Sequence, residues 1–545
     1  MSRLLTIKDL NIEGYQEEKW NPIVNGISLT LDRGEVLGLI GESGAGKSTI
    51  GIAAMGYARP GCRISGGTIE FDGMELTQSS DEALRKLRGV RIAYVAQSAA
   101  ASFNPAHTLL QQFAETPVQH GVMSYRDAEK KAIDLFRALD LPDPENIGNR
   151  YPHQVSGGQL QRAMVAMAMS CDPDLIIFDE PTTALDVTTQ IEVLASIKKA
   201  IKEHNTAAIY ITHDLAVVSQ ISDRIMVLRY GNEVEIGDVA QIIKDPQEDY
   251  TKELLGVRNV RHETLDHSSD ETTILEVRNI TASYGNGVRV LNNVSTKVTR
   301  GMTVAVVGES GSGKSTLARV ITGLMPPESG EILFHGEVLS PSFTGRSRDL
   351  LQRIQMIYQM PDVALNPRQK IKDVIGRAVE FYTGLKGAQK RARVVELLTK
   401  IELPESYLDR FPSELSGGEK QRVCIARALA AEPELIICDE VTSALDQLVA
   451  KGILTLLQDL QNELSMSYLF ITHDLATVKA ISDDIVVMYQ GEVVEQGSKQ
   501  DILTPPHHDY TDLLLLSVPE MDPDWLDGVL KHRLELESRG VNIRT

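Results

Sequence analysis

The ten residues GESGAGKSTI at positions 41–50 return as GESGSGKSTL at 308–317, so the fold of this chain must accommodate the same loop twice. Gly41, Gly46, Lys47 and Ser48 fit the pattern G-x-x-x-x-G-K-[ST], in which a glycine-rich loop turns tightly enough to aim successive backbone N–H groups at phosphate oxygens. Gly308, Gly313, Lys314 and Ser315 repeat it. The apolar run EVLGLI before the first loop reads as a buried strand and STIGIAAMGYA after it as a helix, and MTVAVVG supplies the strand of the second copy. Phosphates held there sit at a positively polarised helix N-terminus. In such a loop Lys47 and Lys314 reach the β- and γ-phosphates, and the hydroxyls of Ser48 and Ser315 ligate Mg²⁺. Ser43, Gly44 and Thr49, with Ser310, Gly311 and Thr316, belong to the same two loops.

The repetition extends far beyond the loop. YVAQ ending at Gln97 returns as IYQ ending at Gln359, VSGGQLQR at 155 as LSGGEKQR at 415, and LIIFDEPTTALD at 175 as LIICDEVTSALD at 435. YITHDLAVVSQISD at 210 matches FITHDLATVKAISD at 470, and EDYTKELL at 248 matches HDYTDLLL at 508. From the SGG motif through the DYT motif the offset stays at 260 residues, which confines insertions to the N-terminal part of each repeat. Two homologous domains follow, 1–256 and 274–516, joined by a polar linker at 257–273 and followed by a charged tail at 517–545. Within each, apolar strands alternate with helical segments, the pattern of an α/β fold around a mainly parallel sheet. The stretch between Gln97 and Ser156 leaves room for a small helical subdomain, and YRDAEKKAIDLFRALDL has the period of one of its helices.

Charge and composition narrow the function classes. The net charge of −20 disfavours nucleic acid and anionic lipid surfaces as direct partners, since both are recognised through Lys and Arg. No long apolar window or signal-peptide core is present, so the chain is expected to be soluble, cytoplasmic and without direct membrane insertion. Cys62, Cys171, Cys424 and Cys438 show no C-x-x-C spacing and read as small buried residues rather than as disulfide or zinc partners.

Taken together these motifs resemble the ATP-binding-cassette (ABC) ATPases along nearly the whole chain. The discriminating feature is SGG-Q or SGG-E opening a helix ahead of an apolar strand that ends in Asp-Glu, in both halves. The resemblance implies two tandem P-loop NTPase domains, each with a RecA-like mixed sheet, an antiparallel β subdomain and a helical subdomain. It also implies two ATPs, each placed between the phosphate loop of one cassette and the SGG segment of the other. On that analogy Asp179 and Asp439 hold Mg²⁺, Glu180 and Glu440 polarise the attacking water, and His213 and His473 contact the γ-phosphate. Gln97 and Gln359 sense both metal and water. Ser156, Gly157 and Gly158, with Ser416, Gly417 and Gly418, stabilise the opposite γ-phosphate. The family stacks adenine on an aromatic ahead of the loop, where Tyr15 and Tyr284 stand, with Trp20 competing in the first half. Neither half is degenerate, and Val441 in place of Pro181 leaves the inferred chemistry untouched.

Two uses of the ATP cycle are open on this analogy. Soluble twin-cassette translation factors acting on ribosomes carry a long basic linker and Asn-His-Leu-Asp after the catalytic strand; here the linker is polar and the residues are TALD and SALD. ASFNPAHTL and VALNPRQKI, YPHQVSGG and FPSELSGG, and the DYT segments instead resemble the peptide and nickel importer cassettes. That resemblance implies an importer ATPase on the cytoplasmic face of the inner membrane, bound peripherally to two transmembrane permease subunits. A periplasmic or lipid-anchored solute-binding protein would deliver a peptide or related solute. Some relatives bind an iron–sulfur cluster through cysteines after the DYT segment; none follows it here within either repeat, and no cluster is expected.

Overall fold

A computed structural model describes residues 2–16, 18–182, 185–256, 272–285, 287–443 and 445–538. The chain divides into two units, Met1–Gly256 with Pro519–Thr545, and Val257–Val518. Most of the expected linker, 257–271, lies outside the described residues.

Each unit contains the same pair of sheets. In the first, a six-stranded sheet runs in the order Asn232–Asp238, Arg224–Arg229, Val36–Ile40, Ala207–Ile211, Leu175–Asp179, Ile92–Val95. All neighbours are parallel except the edge pair Asn232–Asp238 and Arg224–Arg229. The central strands are continuous apolar runs because helices cover both faces of a parallel sheet, and VLGLI, LIIFD and AAIYI are buried at every position. The second unit repeats this order with Thr303–Val307, Leu435–Asp439 and Ser467–Ile471 at its centre. A four-stranded antiparallel sheet accompanies each, built in the first unit on the long strands Arg3–Gln16 and Lys19–Asp32. Helices Leu109–Gln119, Tyr125–Ala138 and Gly157–Ala168 form the helical part of the first unit, with the expected amphipathic helix at Tyr125–Ala138. Ile371–Thr383, Gly387–Lys400 and Gly417–Leu429 are their counterparts in the second.

The C-terminal segment, expected as a separate charged tail from 517, belongs to the first unit from Pro519 onward. The buried Gln220 side chain donates to the carbonyls of Glu520 and Asp522 at 3.0 and 2.7 Å and accepts from the Leu526 N–H at 3.1 Å. Leu526 and Val529 of helix Trp525–Ser538 are buried. Arg533, also buried, donates to Glu192 at 3.0 Å, a carboxylate that Arg162 approaches from its other oxygen. In the second repeat the positions of Glu192 and Gln220 are Gly452 and Ala480, so the matching surface there lacks both polar anchors. Arg533→Ala should lower the stability of the first unit by about 2 kcal/mol, the scale of a lost buried hydrogen bond to a charged group. Calorimetric unfolding of the full chain checks this; an unchanged transition would remove the anchor from Arg533.

Candidate active site

The phosphate loops bridge a central strand and a helix in both units. Gly46 and Gly313 cap helices Lys47–Ala53 and Lys314–Ile321 in the left-handed conformation, φ 91° and 101°, which glycine adopts without strain. At Gly41 and Gly308 a Cβ would lie 2.1 and 2.2 Å from the carbonyl oxygens of Leu228 and Met488, so no side chain fits. Ser43 and Gly44, like Ser310 and Gly311, are exposed at the loop tips, whereas Lys47 and Lys314 are buried. The ammonium of Lys47 donates to the carbonyls of Gly41 and Glu42 at 2.7 and 2.9 Å, and that of Lys314 to those of Gly308 and Glu309 at 2.8 and 2.7 Å. The cation is thereby held inside the curl of the loop.

Strand register delivers the acidic residues to the same place. Asp179 and Asp439 end their central strands beside the loop, where Ser48 donates to Asp179 Oδ1 at 2.7 Å and Ser315 to Asp439 Oδ1 at 2.9 Å. No group of three or more His, Cys, Asp and Glu is arranged around a metal among the described residues. One carboxylate and one hydroxyl in contact are hard oxygen donors, and such a pair fits Mg²⁺, which takes its remaining ligands from substrate phosphates and water. Burial raises the pKa of Asp439, and the neighbouring Glu440 charge adds to that, against the opposing hydrogen bond from Ser315.

The next residue turns away. Glu180 and Glu440 both have φ 49°, a conformation rare for a non-glycine residue, and their N–H groups donate to Ile211 and Ile471 at 2.9 Å. The twist carries each carboxylate into a cluster: Gln97 donates to Glu180 at 3.0 Å and Gln359 to Glu440 at 2.6 Å, while His213 and His473 approach the same carboxylates at 3.4 Å. Burial works against charge on both imidazoles, yet the carboxylate partners outweigh it and raise their pKa values. For Glu440 burial favours the neutral acid, but His473 and the Lys314 charge overcome it and lower its pKa.

Other predicted residues lie differently. Ser156 and Ser416 cap helices Gly157–Ala168 and Gly417–Leu429 by accepting from Gln159 and Glu419, and among the described residues no bond joins them to the phosphate loop of their own unit. Ser156, Gly157, Ser416 and Gly417 are exposed. Gly158 and Gly418 are buried, where a Cβ would strike Thr189 at 2.1 Å or Val449 at 2.4 Å. The Tyr284 hydroxyl bonds to Thr316 Oγ1 at 3.2 Å and accepts from Arg319 at 3.1 Å, which ties this aromatic to its loop. Tyr15 instead packs on Trp20, its cross-strand partner, with ring centroids 5.2 Å apart.

Three site contacts escaped the sequence reading. The Tyr94 hydroxyl donates to Asp179 Oδ2 at 2.5 Å, Arg59 lies 3.8 Å from the same oxygen, and the Tyr510 hydroxyl accepts from Glu309 N–H at 2.9 Å. Tyr510 belongs to a DYT segment whose constant offset was visible as a repeat but not as a loop contact. Tyr94 and Arg59 are visible only as mismatches between the copies.

The ABC transporter family model matches residues 24–183 and 291–443, and the model for the oligopeptide/dipeptide transporter C-terminal region matches 494–539. The glutathione import ATP-binding protein GsiA of Shigella dysenteriae serotype 1 (strain Sd197) is 38% identical over 565 residues, covering 95% of this chain and 90% of that protein. The protein of the same description from Escherichia coli (strain K12) matches at the same identity and coverage. A solved structure of cbiO1 from Clostridium perfringens, part of the ABC transporter complex cbiONQ, is 30% identical, with a TM-score of 0.40, and covers 49% of this chain and 100% of its own.

Proposed function

This chain belongs to the ABC transporter family, as an ATP-binding import subunit with ATPase activity, and from that premise we propose how its residues divide the work. The observation that carries the reading is the cluster of Gln97, Glu180 and His213 beside the Ser48–Asp179 pair, reproduced contact for contact by Gln359, Glu440, His473, Ser315 and Asp439. Lys47 and Lys314, with the loop N–H groups, hold the β- and γ-phosphates. Ser48 with Asp179, and Ser315 with Asp439, hold Mg²⁺ with help from Gln97 and Gln359; the bound metal supplies charge neutralisation on the phosphate oxygens. Glu180 and Glu440 accept the proton of the attacking water, which Gln97 and Gln359 orient. His213 and His473 fix each carboxylate and, as donors, face the γ-phosphate. Ser156–Gly158 and Ser416–Gly418 offer exposed helix N-termini to a developing phosphate charge. Tyr284 stacks on adenine in the second cassette, and Tyr15 takes that role in the first.

The cycle drives uptake of a peptide or glutathione-like solute, in line with the glutathione import named for the GsiA relatives and the oligopeptide/dipeptide transporter match, delivered by a periplasmic or lipid-anchored binding protein. Two permease subunits dock on the cytoplasmic face beside Gln97 and Gln359. Supporting this, Met360 and Val363 next to Gln359 are 58% and 80% exposed, apolar side chains placed where a coupling helix would cover them. No helix among the described residues is long and apolar enough to cross a membrane, so the path for the solute belongs to partners. The ribosomal alternative draws no support from either family match. A tagged pull-down from detergent-solubilised membranes of the native host tests the assignment: two polytopic permeases should be recovered, and ribosomal proteins without permeases would overturn it.

A further inference from the structure

The two cassettes differ in what surrounds the metal-binding carboxylate. Tyr94, opposite Ile177 in the sheet register, donates to Asp179 Oδ2, and Arg59, in the loop after the first phosphate-loop helix, brings its guanidinium to 3.8 Å of the same oxygen. Ser48 occupies the other oxygen, so an aspartate only 5% exposed has both oxygens engaged. In the second cassette Met356, opposite Ile437, takes the place of Tyr94, and Pro326 that of Arg59. Neither side chain can donate a hydrogen bond or carry charge. Among the described residues Asp439 accepts from Ser315 and forms no ion pair; Arg319, whose charge reaches it, donates to the Tyr284 hydroxyl instead.

We propose that Tyr94 and Arg59 make the first cassette the weaker of two unequal magnesium sites. The inference rests on the reading that Asp179 and Asp439 hold the metal. A carboxylate oxygen already accepting a phenol proton has less electron density to give a cation, and a half-exposed guanidinium 3.8 Å from it repels the incoming positive charge. Both side chains act through Asp179 and are positioning residues. When Mg²⁺ is scarce the second cassette fills first, and the two halves of a nearly symmetric chain become kinetically distinct.

The test is a titration of the full chain with Mn²⁺, followed by electron paramagnetic resonance, in the presence of a non-hydrolysable ATP analogue. Two binding classes separated by about fivefold are expected, the scale of one half-exposed ion pair acting with a charge-assisted hydrogen bond. A Lys314→Ala chain should retain the weaker class. Tyr94→Phe should tighten that class, Arg59→Ala, at a half-exposed position, should do the same, and Met356→Tyr should weaken the tighter one. Equal classes in the parent, or Tyr94→Phe and Arg59→Ala isotherms that coincide with it, would overturn the proposal while leaving the site assignment standing. Failure of the parent to hold Mn²⁺ at all would overturn the assignment as well.

Discussion

Glu440→Gln abolishes most ATP turnover in the second cassette while leaving nucleotide binding intact, and Glu180→Gln does the same in the first. The expectation follows from the chemistry of one oxygen. Each glutamate is turned out of its strand at φ 49° and anchored through its own N–H, so an isosteric amide keeps the fold and both neighbours. It lacks the basic carboxylate that accepts the water proton. At Glu440 the sign is favourable for a base at neutral pH: burial pushes towards the acid, but His473 and Lys314 more than compensate, and the carboxylate stays ionised to below the usual 4.5. Loss of a positioned general base lowers rates by about 10²–10⁴. Single-turnover phosphate release, run beside equilibrium binding of a fluorescent nucleotide, separates the two effects. Hydrolysis at the parental rate by either variant would remove that glutamate from the chemistry.

The second large effect is on binding. Lys47→Ala or Lys314→Ala should weaken ATP affinity at the altered cassette by about 100-fold, because on the proposed reading the buried ammonium held at the loop carbonyls is a positive charge that meets the phosphates. The helix N-terminus and loop N–H groups remain, so the fold persists and residual binding reports their share. Isothermal titration of the paired variants checks this: one of two sites should vanish from the isotherm in each single variant. Retention of two full-affinity sites in either would mean that the lysine holds the loop together rather than the ligand.

The fold was legible because its strongest determinants are local. Apolar runs such as LIIFD and LIICD announce strands buried on both faces, and glycine spacing announces a loop that only a strand and a helix can flank. The Ser–Asp and Gln–Glu–His clusters follow from strand order, which the motifs did not give and the structure shows. Tyr94 was illegible for a different reason: an aromatic in a strand reads as core, and only the parallel register places its hydroxyl on Asp179 rather than in apolar surroundings. Arg59 reads as a loop charge. The C-terminal residues had no counterpart in the first repeat, so periodicity offered no docking site, and the determining residues, Gln220 and Glu192, look unremarkable until Ala480 and Gly452 are set beside them.

That docking has a temporal side. Residues 1–256 leave the ribosome long before Leu526, Val529 and Arg533 are made. At about 5–20 residues per second, the interval is on the order of a quarter of a minute to a minute. Throughout it, Gln220, which follows the short helix after His213, and Glu192, in the helix after Asp186, have no tail to bond. The domain begun first is therefore finished only after the second has been made. A nascent chain that stalls before Arg533 carries an unfinished first domain, so this arrangement ties the maturity of the first domain to synthesis of the second.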